Sequence, residues 1–202
     1  MTSIFSAHVD AFMLLNELRK HPIVVMPVFS SAVLQIMEDE AAKYPREPVP
    51  RYYGPRKVEQ NYTRVSAFPA SSILWRLGEK MSDLIDEASQ AFATPAFTTP
   101  LNFTEIIAQF YAPHGVGIAL HRDQRDLFKN LIAVCLIKGK GEFFTAEALD
   151  APAQGISAKP GDVIFMATDG CLHYEHSPWH GVRNITEDRL TITYRQELLK
   201  AA

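Results

Sequence analysis

Apolar residues recur at helical spacing through most of the first hundred positions of the chain. Residues 7–20 carry one apolar face, and Ser30 or Ser31 can cap a helix that runs to about Tyr44 and ends before a proline. Between these segments, residues 21–28 contain the β-branched run Ile-Val-Val, which predicts a short strand.

A longer helix is predicted after a proline-rich stretch. Residues 45–70 contain five prolines and are predicted to form a loop. Ser71 or Ser72 can then cap a helix that runs to about Phe92. One stripe of this helix is apolar, which indicates packing against a sheet. Its members are Ile73, Leu77, Leu84 and Ala88.

From residue 101 onward the apolar period changes to that of strands, with glycine and proline turn signals between them. Short strands at this spacing are typical of an antiparallel sandwich or barrel. Helices first and strands after predict an α+β fold in which N-terminal helices buttress a sheet. The predicted strands are Phe103 to Tyr111, Val116 to His121, Leu131 to Ile137, Glu142 to Ala146, Asp162 to Met166 and Leu190 to Gln196.

The bulk composition fits one ordinary globular domain. The chain has 202 residues, of which 47% are apolar and 21% charged. We therefore expect residues 1–202 to form a single domain, in which residues 1–100 supply helical support and a lid and residues 101–198 form the core. The net charge is −3, so a strongly basic nucleic-acid surface is absent overall, although a local basic patch is compatible with it.

The cysteines and the N-terminus predict a cytoplasmic protein that is not inserted in a membrane. Cys135 and Cys171 form no spaced metal or redox motif, and two cysteines are a poor disulfide framework. Cys135 lies within an apolar run and is expected in the core. The N-terminus lacks the pattern of a signal peptide, and no segment approaches about 18 apolar residues.

Two histidines and an aspartate in the last third of the chain can form a metal site. His121 and Asp123 follow an apolar, strand-like run, and His180 comes 59 residues later, after several more such runs. Two imidazoles and one carboxylate can occupy one face of an octahedral Fe(II) and leave the other face open for a cosubstrate and dioxygen. These three residues are the candidate catalytic metal ligands.

Two other His-x-acid triplets compete with this one. The triplet at residues 8–10 lies in a segment of helical spacing, where side chains two residues apart diverge. The triplet at residues 173–175 has only His176 and His180 after it, too close in sequence to come from a separate strand. The remaining alternative is that the histidines at 121 and 180 are ordinary surface residues.

Two arginines bracket the last predicted strand. Arg189 and Arg195 are six residues apart, so both point to one side of a strand, with α-carbons roughly 20 Å apart at about 3.3 Å per residue. Thr191 shares their face, while the intervening apolar residues face the other way. A buried arginine near the metal ligands would anchor a dicarboxylate cosubstrate. The alternative is an edge strand with solvated arginines.

Five motifs follow one another in a specific order and spacing between about residues 100 and 196. They are Gln109-Phe-Tyr111, His121-Arg-Asp123, Lys159-Pro-Gly-Asp162, His180-Gly-Val182 and Arg189-Leu-Thr-Ile-Thr-Tyr-Arg195-Gln196. This order resembles the Fe(II)/2-oxoglutarate oxygenase superfamily, and its AlkB-like branch through the paired arginines and the tyrosine.

The resemblance implies a double-stranded β-helix, or jelly-roll, core and the cofactors Fe(II) and 2-oxoglutarate. The two histidines and Asp123 would bind iron, and Arg189 would pair with the distal carboxylate of 2-oxoglutarate. Tyr111 would donate a hydrogen bond to the cosubstrate, and Arg195 would lie near its other end.

Three positions depart from the pattern of the AlkB-like branch. Gln109 and Thr191 stand where the branch usually or often has asparagine, and both keep a polar group in the expected cosubstrate pocket. Arg125 stands where nucleic-acid demethylases of the branch often have an acidic residue that helps to select the base. Arg125 is therefore a candidate substrate contact. Because it is basic where those demethylases are often acidic, it weakens the case for DNA-repair activity in this chain.

Residues 46–64, the lid segment, are expected to cover the mouth of the barrel. The segment carries five basic and two acidic residues and three tyrosines. Basic groups bind phosphates, aromatic rings stack on bases, and a flipped base would enter such a pocket. The alternative is that the arginines solvate a loop and the tyrosines pack beneath it. The candidate substrate contacts are Arg51, Tyr52, Tyr53, Arg56 and Tyr62.

Three functions remain open at this stage. The first is an oxygenase that uses 2-oxoglutarate and O2 to dealkylate a nucleobase in nucleic acid. The second is a hydroxylase of a small molecule, an amino acid or a protein side chain. The third is a non-enzymatic, cupin-like metal-binding module.

Overall fold

The computed structural model describes residues 9–198, and within this range three helices occur where the sequence predicts them. They are α1 (Ala11–Leu18), α2 (Ser31–Ala42) and α3 (Ile73–Gln90). The Asp10 carboxylate accepts a hydrogen bond from the Met13 backbone N–H at 2.9 Å, and it caps α1. The first two residues of the helix predicted over 7–20, and His8 of the competing triplet, lie outside the described residues.

Thirteen strands are present within residues 9–198, more than the sequence predicts. In chain order they are β1 (Ile23–Pro27), β2 (Glu47–Pro48), β3 (Tyr52–Tyr53), β4 (Val58–Asn61), β5 (Thr63–Val65), β6 (Glu105–Tyr111), β7 (Gly117–His121), β8 (Phe128–Lys138), β9 (Glu142–Ala146), β10 (Gln154–Ile156), β11 (Asp162–Ala167), β12 (Trp179–Arg183) and β13 (Arg189–Glu197). All six strands predicted after residue 101 are confirmed within a few residues.

The strands form two sheets that face each other. The larger sheet has the order β1-β11-β8-β13-β6-β5-β2, and the smaller sheet has the order β10-β9-β12-β7-β4-β3. Every recorded pairing is antiparallel, with chain neighbours often in different sheets. This arrangement is the double-stranded β-helix, and the predicted α+β class with a jelly-roll core is confirmed.

The prediction of a loop over residues 45–70 is wrong. This region supplies β2 to β5, and these short strands extend both sheets. Gln60 pairs with Ile118 of β7, while Val65 pairs with Ala108 of β6. Strands of two to four residues are too short to show a period in the sequence. These segments become strands because neighbouring strands of the sheets supply their hydrogen-bonding partners.

The helices pack on the outer face of the larger sheet, as predicted. Leu74, Leu77 and Ile85 of α3 belong to one buried cluster with the outward-facing apolar residues of β13. The Tyr194 hydroxyl donates to the Leu74 carbonyl at 3.1 Å, and its ring lies where a β-carbon at Gly78 would clash. The buried stripe of α3 is centred one position away from the predicted one, so Ile73 and Leu84 are only half-buried.

A second apolar cluster fills part of the space between the two sheets. Its members include Tyr111, Ile118, Ile132, Val134 and Phe143. Many of the remaining inner positions are polar, so the interior of the barrel is a lined cavity as well as a packed core. Among residues 9–198, no helix is long and apolar enough to span a bilayer.

Candidate metal centre and cosubstrate pocket

Two strands of the smaller sheet bring the predicted metal ligands together. His121 is the last residue of β7, and it lies directly opposite His180 of β12 in the antiparallel register. Asp123 follows two residues after β7 ends. One ligand atom from each of the three side chains lies within 4.8 Å of the others. Two imidazoles and a carboxylate at this separation fit one octahedral or tetrahedral cation.

Backbone carbonyls fix the orientation of both imidazoles. Nδ1 of His121 lies 2.9 Å from the Ala119 oxygen, and Nδ1 of His180 lies 2.9 Å from the Pro178 oxygen. A carbonyl oxygen can only accept, so each Nδ1 carries the proton and each Nε2 keeps its lone pair. Hydrogen bonds of this kind hold metal-binding histidines in the right tautomer.

The charges around the cluster favour the protonation states that bind a cation. Burial, with a smaller electrostatic contribution from the neighbouring His180, lowers the pKa of His121 to about 4, so this imidazole is neutral at neutral pH. Burial alone would raise the pKa of Asp123, but the electrostatic effects of the two neighbouring imidazoles and of Arg195 together outweigh it and the pKa is lowered. The carboxylate is therefore ionised, with Oδ2 3.3 Å from His180 Nε2.

A cavity of about 450 Å³ opens beside the cluster, and Arg189 lies in its wall. Arg189 is 2% exposed, and its Nε and Nη1 have no hydrogen-bond partner within residues 9–198. Its guanidinium carbon lies 5.3 Å from the centroid of the Tyr111 ring, which is also buried. Burial lowers the pKa of this arginine, since the cation is held without a carboxylate. An unpartnered buried guanidinium facing a cavity suits an anionic ligand.

The inner face of β13 lines the cavity in the alternation predicted for it. Arg189, Thr191, Thr193 and Arg195 all face the cavity. Gln109 lies opposite Thr191 in the register, and its Oε1 accepts hydrogen bonds from the Thr191 hydroxyl at 3.3 Å and the Thr193 hydroxyl at 3.1 Å. The amide and the two hydroxyls therefore form a polar strip along the cavity wall.

Arg195 lies at the metal end of this strip. Its Nη1 donates to Asp123 Oδ1 at 3.2 Å, and its Nε donates to Glu105 Oε2 at 2.5 Å. Glu105 lies directly opposite Arg195 in the β6–β13 register. Glu105 was not predicted as a site residue, because its place beside the metal cluster depends on that register. With Oδ1 held by Arg195, Asp123 presents Oδ2 towards the two imidazoles.

The predicted substrate contacts divide into two groups. Tyr53 and Tyr62 line the cavity, with ring centroids 6.0 Å from that of His121 and 5.2 Å from that of Tyr111, respectively. Burial raises the pKa of both tyrosines. The lid segment therefore supplies part of the cavity wall.

The other predicted contacts lie outside the cavity. Tyr52 is 50% exposed, and Arg51 forms an ion pair with Glu59 at 2.8 Å on the surface. Arg125 is 3.6 Å from Asp169, and its side chain is half exposed. Arg56 packs over the ring of Trp179. None of these four residues lines the cavity, although Arg56 lies near the metal cluster through Trp179, the residue before His180.

Comparisons with known proteins give a fold but no relative by sequence. No protein-family model matches the chain, and neither does any curated protein. Among solved structures, a prolyl-4-hydroxylase from Pseudomonas putida superposes with a TM-score of 0.69 at 12% identity, covering 94% of this chain and 100% of that chain.

Two further solved structures are also similar to this chain in fold. An oxidoreductase of the 2OG-Fe(II) oxygenase family from Burkholderia pseudomallei has a TM-score of 0.63 at 18% identity and covers 93% of this chain and 89% of its own. OsALKBH1 has a TM-score of 0.54 at 14% identity and covers 87% of this chain and 98% of its own. The chain therefore has the fold found in 2-oxoglutarate-dependent oxygenases of several kinds, and the AlkB-like branch is one of them.

Proposed function

We propose that this protein is an Fe(II)- and 2-oxoglutarate-dependent dioxygenase, with residues 1–202 forming one oxygenase domain. The observation that carries the proposal is the pairing of two features in one cavity. A two-histidine, one-carboxylate cluster lies at one end, and the guanidinium of Arg189 lies in the wall without a partner within residues 9–198. A structural metal site would need the first feature only.

The donor set fits Fe(II). His121 and His180 would bind it through Nε2 and Asp123 through Oδ2, which leaves positions free on the other side. Iron bound there would supply the activation of dioxygen, with 2-oxoglutarate oxidised to succinate and CO2 as the substrate gains one oxygen atom. The ion pair to Arg195 would keep Asp123 in its binding orientation.

The cavity wall fits a dicarboxylate with its distal end at Arg189. A carboxylate there would accept from the guanidinium, whose Nε and Nη1 have no partner within residues 9–198. The buried Tyr111 hydroxyl, beside this guanidinium, would donate to the same ligand. Thr191 and Gln109 would border its carbon chain, and the other end would reach the metal cluster near Arg195.

For the reaction, we propose oxidative dealkylation of a nucleobase or hydroxylation of a small molecule, an amino acid or a protein side chain. Support for the first comes from the AlkB-like motifs and from Tyr53, whose ring next to His121 could stack on a base. Support for the second reaction comes from Arg51 and Arg125. Both pair with carboxylates outside the cavity, so they do not add to a phosphate-binding surface at its mouth. A reducing cytoplasm would suit Fe(II) and the free, buried cysteines.

The test is turnover of 2-oxoglutarate by the purified protein. With Fe(II) and O2, we expect slow succinate formation without a substrate and faster formation when a true substrate is added. Panels of alkylated oligonucleotides, amino acids and small metabolites would then separate the two reactions. Absence of succinate from wild-type protein that binds metal and 2-oxoglutarate would contradict the enzymatic proposal and favour a binding module.

A further inference from the structure

Two arginines share one indole ring on the rim beside the metal cluster. The guanidinium carbon of Arg56 lies 5.2 Å from the centroid of Trp179, and that of Arg122 lies 5.0 Å from the same centroid. The two cations are therefore within about 10 Å of each other. Contact with an aromatic face stabilises a cation, and it holds each guanidinium in place.

The backbone ties this rim to the metal ligands. Arg122 lies between His121 and Asp123, and Trp179 immediately precedes His180. The turn between β3 and β4 carries Arg56, and the same hairpin places Tyr53 in the cavity wall. A ligand bound by Arg56, Arg122 and Trp179 would thus lie next to the mouth of the cavity.

Neither cation on the rim is neutralised by a nearby carboxylate. Within residues 9–198, no carboxylate oxygen lies within 4.0 Å of Arg56 or Arg122. Three other arginines are paired, namely Arg51 with Glu59, Arg125 with Asp169 and Arg183 with Glu142. Two unpaired cations at one ring repel each other, and an anion bound beside them would reduce that repulsion.

We propose that Arg56, Arg122 and Trp179 anchor an anionic group of the substrate, so that the substrate is a small molecule with one carboxylate or phosphate group. This inference rests on the proposed oxygenase function and names the substrate class for it. Guanidinium forks bind both kinds of anion in a bidentate way. The anchored molecule extends past Tyr53, which directs its reacting carbon to the open side of the metal.

The charge pattern favours a small molecule over nucleic acid. A nucleic-acid strand needs a track of cations along its phosphates. Here Arg51, Arg125 and Arg183 are engaged by carboxylates, and the chain carries a net charge of −3. The two guanidiniums on Trp179 can bind one anionic group, but they are too few to follow a backbone.

Fluorescence of Trp179 can test the anchor directly. The chain has two tryptophans, so the variant Trp75→Phe leaves Trp179 as the only indole. The protein is loaded with Ni(II), which replaces the redox-active iron, and saturated with 2-oxoglutarate, so that the Arg189 site is filled. Inorganic phosphate and acetate are then titrated separately against sodium chloride of equal ionic strength, and the two arms distinguish a phosphate from a carboxylate substrate.

We expect a saturable fluorescence change with at least one of the two anions. In the same background, Arg56→Gln together with Arg122→Gln should weaken that binding at least tenfold. The matched control is Arg19→Gln, because Arg19 also packs on an aromatic ring, 4.9 Å from the Phe92 centroid, but does not line the cavity. No saturable response, or equal loss in the control, would overturn the anchor.

A ten-residue oligothymidylate serves as the competing ligand. A single anchored anion gives a slope of log affinity against log salt of about −1 or shallower, whereas several phosphate contacts give a steeper slope at roughly −0.7 per contact. Tight binding with a slope beyond about −2 would overturn the small-molecule proposal in favour of nucleic acid. Calorimetry of Ni(II) and 2-oxoglutarate binding to the same protein separates the two proposals. Loss of this binding while phosphate still binds would contradict the oxygenase function. Normal binding of Ni(II) and 2-oxoglutarate without binding of phosphate or acetate would contradict only the anchor.

Discussion

Replacing Arg189 with methionine should stabilise the ligand-free protein and at the same time abolish its response to 2-oxoglutarate. Arg189 is 2% exposed, and within residues 9–198 its Nε and Nη1 make no hydrogen bond. The folded protein therefore holds a desolvated cation that its own side chains do not neutralise. Such an arrangement lowers stability unless a ligand supplies the missing charge.

The magnitude follows from two opposing contributions. Replacing buried ionic groups by apolar residues of similar volume is often neutral or stabilises by about 1–4 kcal/mol. Against this, the variant loses the contact between the guanidinium and the Tyr111 ring at 5.3 Å, which is worth about 2 kcal/mol when both groups are desolvated. The net expectation is a gain of up to about 2 kcal/mol in the free energy of unfolding, or up to roughly 4–8 °C in Tm for a chain of this length.

Urea unfolding with and without 2-oxoglutarate, both in the presence of Ni(II), measures the two effects together. The wild-type protein should gain about 2.7 kcal/mol when the ligand is at 100 times its Kd, and Arg189→Met should gain nothing. The matched variant Arg189→Lys keeps the buried charge but loses the fork. We expect no stabilisation from it and a requirement for 2-oxoglutarate that rises tenfold or more, about 1.4 kcal/mol.

Two results would refute this reasoning. A loss of 1 kcal/mol or more in ligand-free Arg189→Met would mean that the fold itself depends on the guanidinium. A full 2-oxoglutarate response in that variant would move the anchor elsewhere, with Arg195 the first residue to examine.

Three further predictions concern the metal cluster and the packing behind it. His121→Ala should abolish both metal retention and succinate formation, as measured by elemental analysis and product assay; normal metal content would mean that another triplet binds it. Glu105→Gln should leave Arg195 with a weaker partner and lower the metal affinity by roughly 10- to 100-fold in a chelator competition, whereas an unchanged affinity would show that Glu105 does not orient the cluster. Gly78→Ala should cost about 1–3 kcal/mol, because its β-carbon would lie 2.7 Å from the Tyr194 ring, and calorimetry should show this loss with metal affinity unaltered.

The sequence predicted best what local periodicity determines. Alternation along β13 predicted that Arg189 and Arg195 share a face with Thr191, and the structure has all three on the cavity wall. The same period placed Tyr194 on the opposite face, where it packs against α3. Spacing also separated the triplet at residues 121–123 from its rivals. The triplet at residues 8–10 lies in a segment of helical spacing, and the triplet at residues 173–175 has no later histidine that could come from a separate strand.

What the sequence could not predict depends on pairing between distant segments. The strands within residues 45–70 have two to four residues each, and those that join the two sheets, β4 and β5, have partners more than 40 positions away in β7 and β6. The contact between Glu105 and Arg195 requires the β6–β13 register, which no local pattern reveals. For the same reason Arg51, named from the composition of the lid segment, and Arg125, named from its place in the family pattern, both pair with carboxylates on the surface that the sequence did not reveal.

The most direct test of the account is a crystal structure of the protein with Ni(II) and 2-oxoglutarate, with the metal located by its anomalous scattering. The account predicts one strong anomalous peak bound by His121, Asp123 and His180, with the distal carboxylate of 2-oxoglutarate on the guanidinium of Arg189. A principal peak at another group of side chains, or a metal at this cluster with Arg189 still unpartnered and the cavity empty of 2-oxoglutarate, would contradict it.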